Sequence, residues 1–330
     1  MFVKIKIKAF LSIVLTLILF CAWGRIDSAS ASSDWKPKDN IILVTHASAG
    51  TGIDIFLRAI ADIWMKNNLI SERVSVENLT GAGGKKAREY ISKKNKGNTH
   101  MLFGYTPSQI NRPIIKKEEI TPRSFTAIAL MAIEPLVMVV NAESEFKSVQ
   151  DVIGAARKDP KKLTQGGGPY GNVPSIVAKM LAEETGVEFS YVPFKGGGAG
   201  VVALLGKHVD FILEQPSEVD QHVKARTLRL LAASVTLDKY PGLPTFESLG
   251  YKFKPIKQFR GLMAPPGIPA EVASYYINLL DQTRKTVDWK KYVEKYDLVE
   301  QWITGEELAR SLDEEADNYT RKNKEMGLLK

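Results

Sequence analysis

From Asn40 onward, short runs rich in branched and aromatic residues alternate with runs whose apolar residues recur at helical spacing, the pattern of an α/β protein built on largely parallel sheets. The alternation predicts strands over 41–45, 74–77, 101–104, 125–131 and 136–141, with helices over 53–66 and 85–92. Ser148-Val149-Gln150-Asp151 has the form of a capping box, in which side chain and backbone satisfy each other's unpaired groups, and it starts a helix running to Lys158. A second α/β set follows, with strands over 163–165, 189–192, 209–213 and 228–233 and helices over 173–184, 199–205 and 218–224. One more strand, 259–264, precedes Pro265-Pro266-Gly267-Ile268-Pro269 and a tail that reads as purely helical, its last helix opened by Thr304-Gly305-Glu306-Glu307 as a further capping box. A chain that crosses to a second lobe and returns would lay these helices on the first.

The first residues break this pattern. Lys4, Lys6 and Lys8 precede a nearly continuous apolar run from Ala9 to Trp23, and Ala29 and Ala31 then offer the small-x-small spacing that a signal peptidase recognises. Residues 1–31 are expected to be a signal peptide cleaved near Ala31, which places the mature chain in the periplasm; the apolar run is short for a membrane span. Four basic residues and one acidic residue leave with it, so the formal charge falls from +8 to +5. The only cysteine, Cys21, leaves too, which excludes disulfides, thiolate metal sites and a cysteine nucleophile from the mature chain.

About three hundred remaining residues are many for one core, so two lobes are expected. The lysine doublets at 85–86, 93–94, 116–117 and 161–162 are interspersed with acidic residues rather than gathered with aromatics, which describes a solvated surface and gives no reason to expect nucleic acid. His46, His100, His208 and His222 lack the close spacings of metal sites, so no metal and no cofactor are expected.

The candidate chemistry lies in small-residue turns between strands and helices. His46-Ala47-Ser48-Ala49-Gly50-Thr51-Gly52 joins a strand to a helix start, where unpaired N–H groups and the positive end of the helix dipole hold carboxylate or phosphate without a cationic side chain. Leu79-Thr80-Gly81-Ala82-Gly83-Gly84, Gly166-Gly167-Gly168-Pro169-Tyr170-Gly171-Asn172 and Lys195-Gly196-Gly197-Gly198 occupy similar junctions. In open α/β sheets such junctions share the carboxyl edge of the strands, so loops from two lobes are expected to face one cleft. Added bulk at Gly50 or Gly168 is expected to abolish binding with little loss of fold. An enzyme using a nucleotide is the competing reading of glycine-rich turns, but the chain has no Gly-x-x-x-x-Gly-Lys-Ser/Thr run, no Gly-x-Gly-x-x-Gly on the first turn and no Gly-x-Ser-x-Gly elbow.

Two segments carry a family likeness. Glu77-Asn78-Leu79-Thr80-Gly81-Ala82-Gly83-Gly84, and Tyr191-Val192-Pro193-Phe194-Lys195-Gly196-Gly197-Gly198 followed by Leu204-Leu205-Gly206-Lys207-His208-Val209-Asp210, resemble signatures of the Bug-type receptors of tripartite tricarboxylate transporters. Pro244-Thr245-Phe246-Glu247, Arg260-Gly261 and Ala264-Pro265-Pro266-Gly267-Ile268-Pro269 are similar to further segments, so the likeness runs from Lys38 to the C-terminus. The resemblance implies a type II periplasmic binding protein fold, with two α/β lobes joined by a two-strand hinge and a ligand cleft between them. Residues 32–138 with 260–330 would form the first lobe and 139–259 the second.

It also implies a non-enzymatic, monomeric receptor that captures a small carboxylate for a two-subunit membrane permease; presentation of the solute to a signalling protein stays open as an alternative. Carried onto this chain, the ligand residues would be Ala47, Ser48, Ala49, Gly50, Thr51, Asp54 and Thr106 from one lobe, and Gly167, Gly168, Tyr170, Gly171, Asn172, Lys195 and Gly196 from the other. Asp54 has a structural role open to it as well, since an acid in the first turn of a helix stabilises the dipole. Likewise Lys195 either pairs with a carboxylate or stays solvated, and Tyr170 either lines the cleft or covers its loop. The family's first loop is usually richer in glycine than this one and has Ser or Thr before its Asp, where this chain has Ile53; Asn172 stands where Ser is common.

Overall fold

The structure, a computed structural model, describes residues 35–168, 170–194, 197–253 and 255–329. The predicted signal peptide therefore lies outside the described residues, as do Lys195 and Gly196.

Along the chain the strands are β1 (Ile41–Thr45), β2 (Val74–Asn78), β3 (Met101–Tyr105), β4 (Thr126–Glu134), β5 (Val137–Asn141), β6 (Thr164–Gly167), β7 (Ser190–Pro193), β8 (Phe211–Glu214), β9 (Leu228–Ala233), β10 (Gln258–Ala264) and β11 (Val299–Thr304). The α-helices are α1 (Gly52–Lys66), α2 (Lys85–Glu89), α3 (Ser108–Lys116), α4 (Val149–Lys158), α5 (Val173–Thr185), α6 (Gly197–Leu205), α7 (Pro216–Lys224), α8 (Ala270–Lys285), α9 (Val287–Lys295) and α10 (Gly305–Glu325).

The strands form two sheets, β11-β4-β10-β3-β1-β2 and β7-β6-β8-β5-β9, each flanked by helices: the two-lobed α/β arrangement of a type II periplasmic binding protein. Both are mixed rather than largely parallel. β1 pairs in parallel with β2 and β3, and β6 with β7 and β8, whereas β10, β11 and β5 run antiparallel to their neighbours. The reversal follows from the crossings. β4 ends at Glu134, only Pro135 and Leu136 intervene, and β5 opens the second sheet at Val137; the chain returns through 234–257 to β10. At this hinge the two passages are bonded to each other: Leu136 N–H donates to Ser234 Oγ (2.9 Å), Ser234 N–H donates to the Leu136 carbonyl (2.8 Å), and Gln258 pairs with Glu134.

β5 is buried on both faces apart from its last residue, Asn141, as its unbroken Val-Met-Val-Val sequence requires. The Ser148 capping box forms as expected, Asp151 N–H donating to Ser148 Oγ (3.1 Å) and Ser148 N–H to the Asp151 carboxylate (2.9 Å). At Thr304 the helix starts where predicted, but no side-chain cap bond forms, and Gly305 turns the chain at φ +52° instead. The tail is not purely helical, since β11 joins the first sheet beside β4. Its helices do pack on that sheet: Trp64 of α1, fully buried, donates its indole N–H to Thr283 of α8 (2.7 Å). Burying a ring of that size contributes at least about 2 kcal/mol.

Candidate functional site

A cavity of about 340 Å³ opens between the carboxyl edges of the two sheets, walled by the starts of α1, α3, α5, α6 and α7 and by β10. Of the residues expected at the site, Ala47, Thr51, Thr106, Gly168, Tyr170, Gly171 and Asn172 line it. Ser48, Ala49, Gly50, Asp54 and Gly167 are not among the lining residues. The Leu79–Gly84 turn stays out of the wall too, because β2 stands at the far edge of its sheet; Gly84 packs instead against Arg88 and Gln109.

The first loop is held from behind. Asp54 is buried, and its carboxylate accepts Gly50 N–H (2.9 Å), Asn78 Nδ2 (2.9 Å) and the Arg58 guanidinium (3.0 Å), while Asn78 also donates to the Ala47 carbonyl (2.9 Å). Burial alone would lift the Asp54 pKa, but these bonds hold it below its ordinary value. Asp54 thus braces the loop from behind. Thr51 stands at the N-cap of α1 yet turns its hydroxyl to the Ser48 carbonyl (2.7 Å) and makes no cap bond, so the first N–H groups of α1 keep no side-chain acceptor where Thr51, Gly52 and Ile53 line the cavity.

The facing loop is built differently. Asn172 caps α5 by accepting Ser175 N–H (3.0 Å), and Ser175 Oγ accepts Gly171 N–H (2.9 Å). The Tyr191 hydroxyl is wedged beneath and donates to the Gly168 carbonyl (2.6 Å); a β-carbon at Gly167 would lie 2.6 Å from that hydroxyl, so glycine there is a packing requirement. Across the cavity Asn111 Nδ2 donates to the Gly171 carbonyl (2.6 Å) and fixes the spacing of the two walls.

Other polar residues complete the wall. His46, Ser108 and Thr106 form a polar chain, His46 Nε2 to Ser108 Oγ 3.1 Å and Ser108 Oγ to Thr106 Oγ1 2.9 Å. Burial, then Arg88 and Arg260, lowers the His46 pKa to about 4, so the ring is neutral near pH 7. Arg260 of β10 pairs with Glu134 (2.5 Å), and both pack against the bare Cα of Gly52, where a β-carbon would lie 2.6 Å from the guanidinium and 3.3 Å from the carboxylate. Opposite, Glu214 and Glu218 pack against the bare Cα of Gly197, the first residue of α6. Arg112 on α3 is exposed at the rim, with no ion-pair partner among the described residues. Arg260 and Gly197 stood within recognisable segments, but only the folded chain brings both to one cavity.

Two α/β lobes, a hinge of two bonded passages and a cleft with an open helix start define a solute-binding receptor. The chain matches the model of the tripartite tricarboxylate transporter family receptor over residues 57–328 and belongs to that family. A Cupriavidus necator protein described as "UPF0065 protein in gbd 5'region" is 28% identical over 313 residues, 92% of each chain. A solved TctC solute-binding protein from Polaromonas superposes with TM-score 0.76 at 21% identity, over 88% of this chain and 100% of that one. MatC from Rhodopseudomonas palustris, solved with bound malate, superposes with TM-score 0.70 at 18% identity, over 87% and 99%. Among the described residues no helix is long and apolar enough to cross a membrane, and no group of three or more His, Cys, Asp or Glu is placed to hold a metal.

Proposed function

We propose that this receptor captures a small carboxylated solute in the cleft and delivers it to a two-subunit membrane permease, without chemical turnover. The observation that carries the reading is the start of α1, whose leading N–H groups lack a side-chain cap and border the cavity. A carboxylate there would gain charge-assisted bonds of about 1.5–3 kcal/mol each, so a few suffice for micromolar affinity. The malate held by MatC is a ligand of this class. The lobes are taken as residues 32–136 with 258–330 and 137–257, two residues from the expected boundary at each crossing because β5 opens at Val137 and β10 at Gln258, and the mature protein as a periplasmic monomer released by cleavage near Ala31. Ala47, Thr51 and Thr106 would meet the ligand from one side and Gly168, Tyr170, Gly171 and Asn172 from the other, with Lys195 and Gly196 assigned by the resemblance alone.

Arg112 adds a free cation at the rim that would steer anions inward. Calorimetric titration of the mature protein against a panel of mono-, di- and tricarboxylates should reveal saturable one-to-one binding, weakened about threefold to tenfold by Arg112→Gln, with ligand recovered unchanged. Absence of binding by the whole panel, or its conversion to product, refutes the reading.

A further inference from the structure

One wall of the cleft is acidic in a way that a simple anion does not explain. Glu214, at the end of β8, is 4% exposed; its Oε1 accepts the amide N–H of Gln215 (3.0 Å), and its Oε2 accepts nothing among the described residues although Glu214 lines the cavity. Glu218, one turn into α7, lines the same wall and has no cationic partner among the described residues. Both converge on Gly197, where a β-carbon would lie 2.8 Å from the Glu218 carboxylate and closer still to that of Glu214. Only glycine leaves these carboxylates their place. Arg260, across the cavity, is already paired with Glu134.

The opposite wall has the complementary lack. Arg260 is 6% exposed and lines the cavity, its Nη2 facing Glu134 and its Nη1 donating to the Phe259 carbonyl (3.3 Å), but its Nε is buried with no acceptor among the described residues. A single cavity of about 340 Å³ therefore holds unmatched donors at the α1 start and Arg260, and unmatched acceptors at Glu214 and Glu218. Buried polar groups without partners are costly, more so when charged, and a ligand that satisfies Glu214 and Arg260 recovers that cost.

We infer that the solute is dipolar: a carboxylate that also bears an ammonium group, its negative end at the α1 start and Arg260 and its nitrogen between Glu214 and Glu218. The inference rests on the carboxylate-receptor reading and narrows it, because a ligand that is only an anion would leave the acidic wall unanswered.

The test is calorimetry with matched pairs: aspartate against succinate, glutamate against glutarate, and 4-aminobutyrate against butyrate. At least one amino compound should bind tenfold or more tightly than its partner, and Glu214→Gln should shrink that preference to less than threefold. Should Glu214→Gln fail to fold by circular dichroism, Glu218→Gln, exposed at the mouth, should reduce the same preference by at least threefold. If no amino compound binds tenfold more tightly than its plain carboxylate partner while a carboxylate does bind, the dipolar inference is wrong and the receptor reading stands. Failure of every compound in both sets to bind a folded protein overturns both.

Discussion

At the scale of single residues, a carboxylate as buried as that of Glu214 stays charged only beside something positive. Its neighbours are Glu218 and Glu134, so burial first and those two charges second lift its pKa from 4.5 to about 8. The sign for stability follows. Between pH 4.5 and pH 8 the unfolded chain releases a proton that the folded chain retains, so the ligand-free protein loses stability as pH rises through that window and the loss levels off above it. The cost at pH 8 is of order 2–4 kcal/mol. Glu214→Gln removes this titration, and thermal melts should place it close to the parent at pH 4.5 but about 5 °C above it at pH 8. His46, lowered to about 4, loses stability in the opposite direction as pH falls below 6.5, but it is present in both proteins and drops out of the difference. A gap between the two melting temperatures that does not widen with pH would show that Glu214 is charged in the empty cleft.

At the scale of elements, the start of α1 separates two glycines that look alike in sequence. Gly50 lies at φ +81° with open space where a side chain would go, so Gly50→Ala strains the backbone by about 1 kcal/mol and reaches nothing in the cleft. Bulk there is thus not expected to block binding, contrary to what loop composition suggests. Gly52, the first helical residue, is where a β-carbon meets Arg260. Gly52→Ala should leave the melting temperature within about 3 °C, since alanine favours the helix, yet weaken carboxylate binding at least tenfold, while Gly50→Ala keeps affinity within about twofold; calorimetry on both variants tests the contrast. The strand-to-helix loops that border the cleft were legible in sequence because strand, small residues and amphipathic helix follow one another directly, as in 41–66. α3 was not, because Pro113 interrupts its helical spacing, and yet it supplies Ser108, Asn111 and Arg112 to the wall. β11 was hidden as well: Val-Glu-Gln-Trp-Ile-Thr is a half-buried edge strand in a charged, helix-rich tail, and β4 rather than its own composition makes it a strand. Arg260, Glu134, Tyr191 and the Glu214–Glu218 pair belong to four separate segments that no local pattern connects.

At the scale of the whole molecule, the lobes touch on more than one side of the cleft. Asn111 bonds to the Gly171 carbonyl inside it; Lys322 of α10 pairs with Glu183 of α5 (2.7 Å); and Lys239, in the segment after β9, pairs with Asp297 before β11 (2.9 Å). An opening about the hinge at Leu136 and Ser234 would break these contacts, so they would act on the balance between open and closed forms rather than on the ligand. Asp297 is the informative one to remove. Its carboxylate is 6% exposed, so the pair is shielded from solvent, while Lys239 retains Asp220 (3.2 Å) on its own lobe and is not left unpaired. Asp297→Asn should then cost the closed form about 1 kcal/mol, which lowers apparent affinity about fivefold for every ligand alike, because only the population of the competent form changes. Small-angle scattering of the ligand-free variant should give a larger radius of gyration than the parent, and saturating ligand should remove the difference. If affinity falls for one ligand and not another, Asp297 acts on the cleft itself; if neither affinity nor radius changes, the Lys239 pair has no part in holding the lobes together.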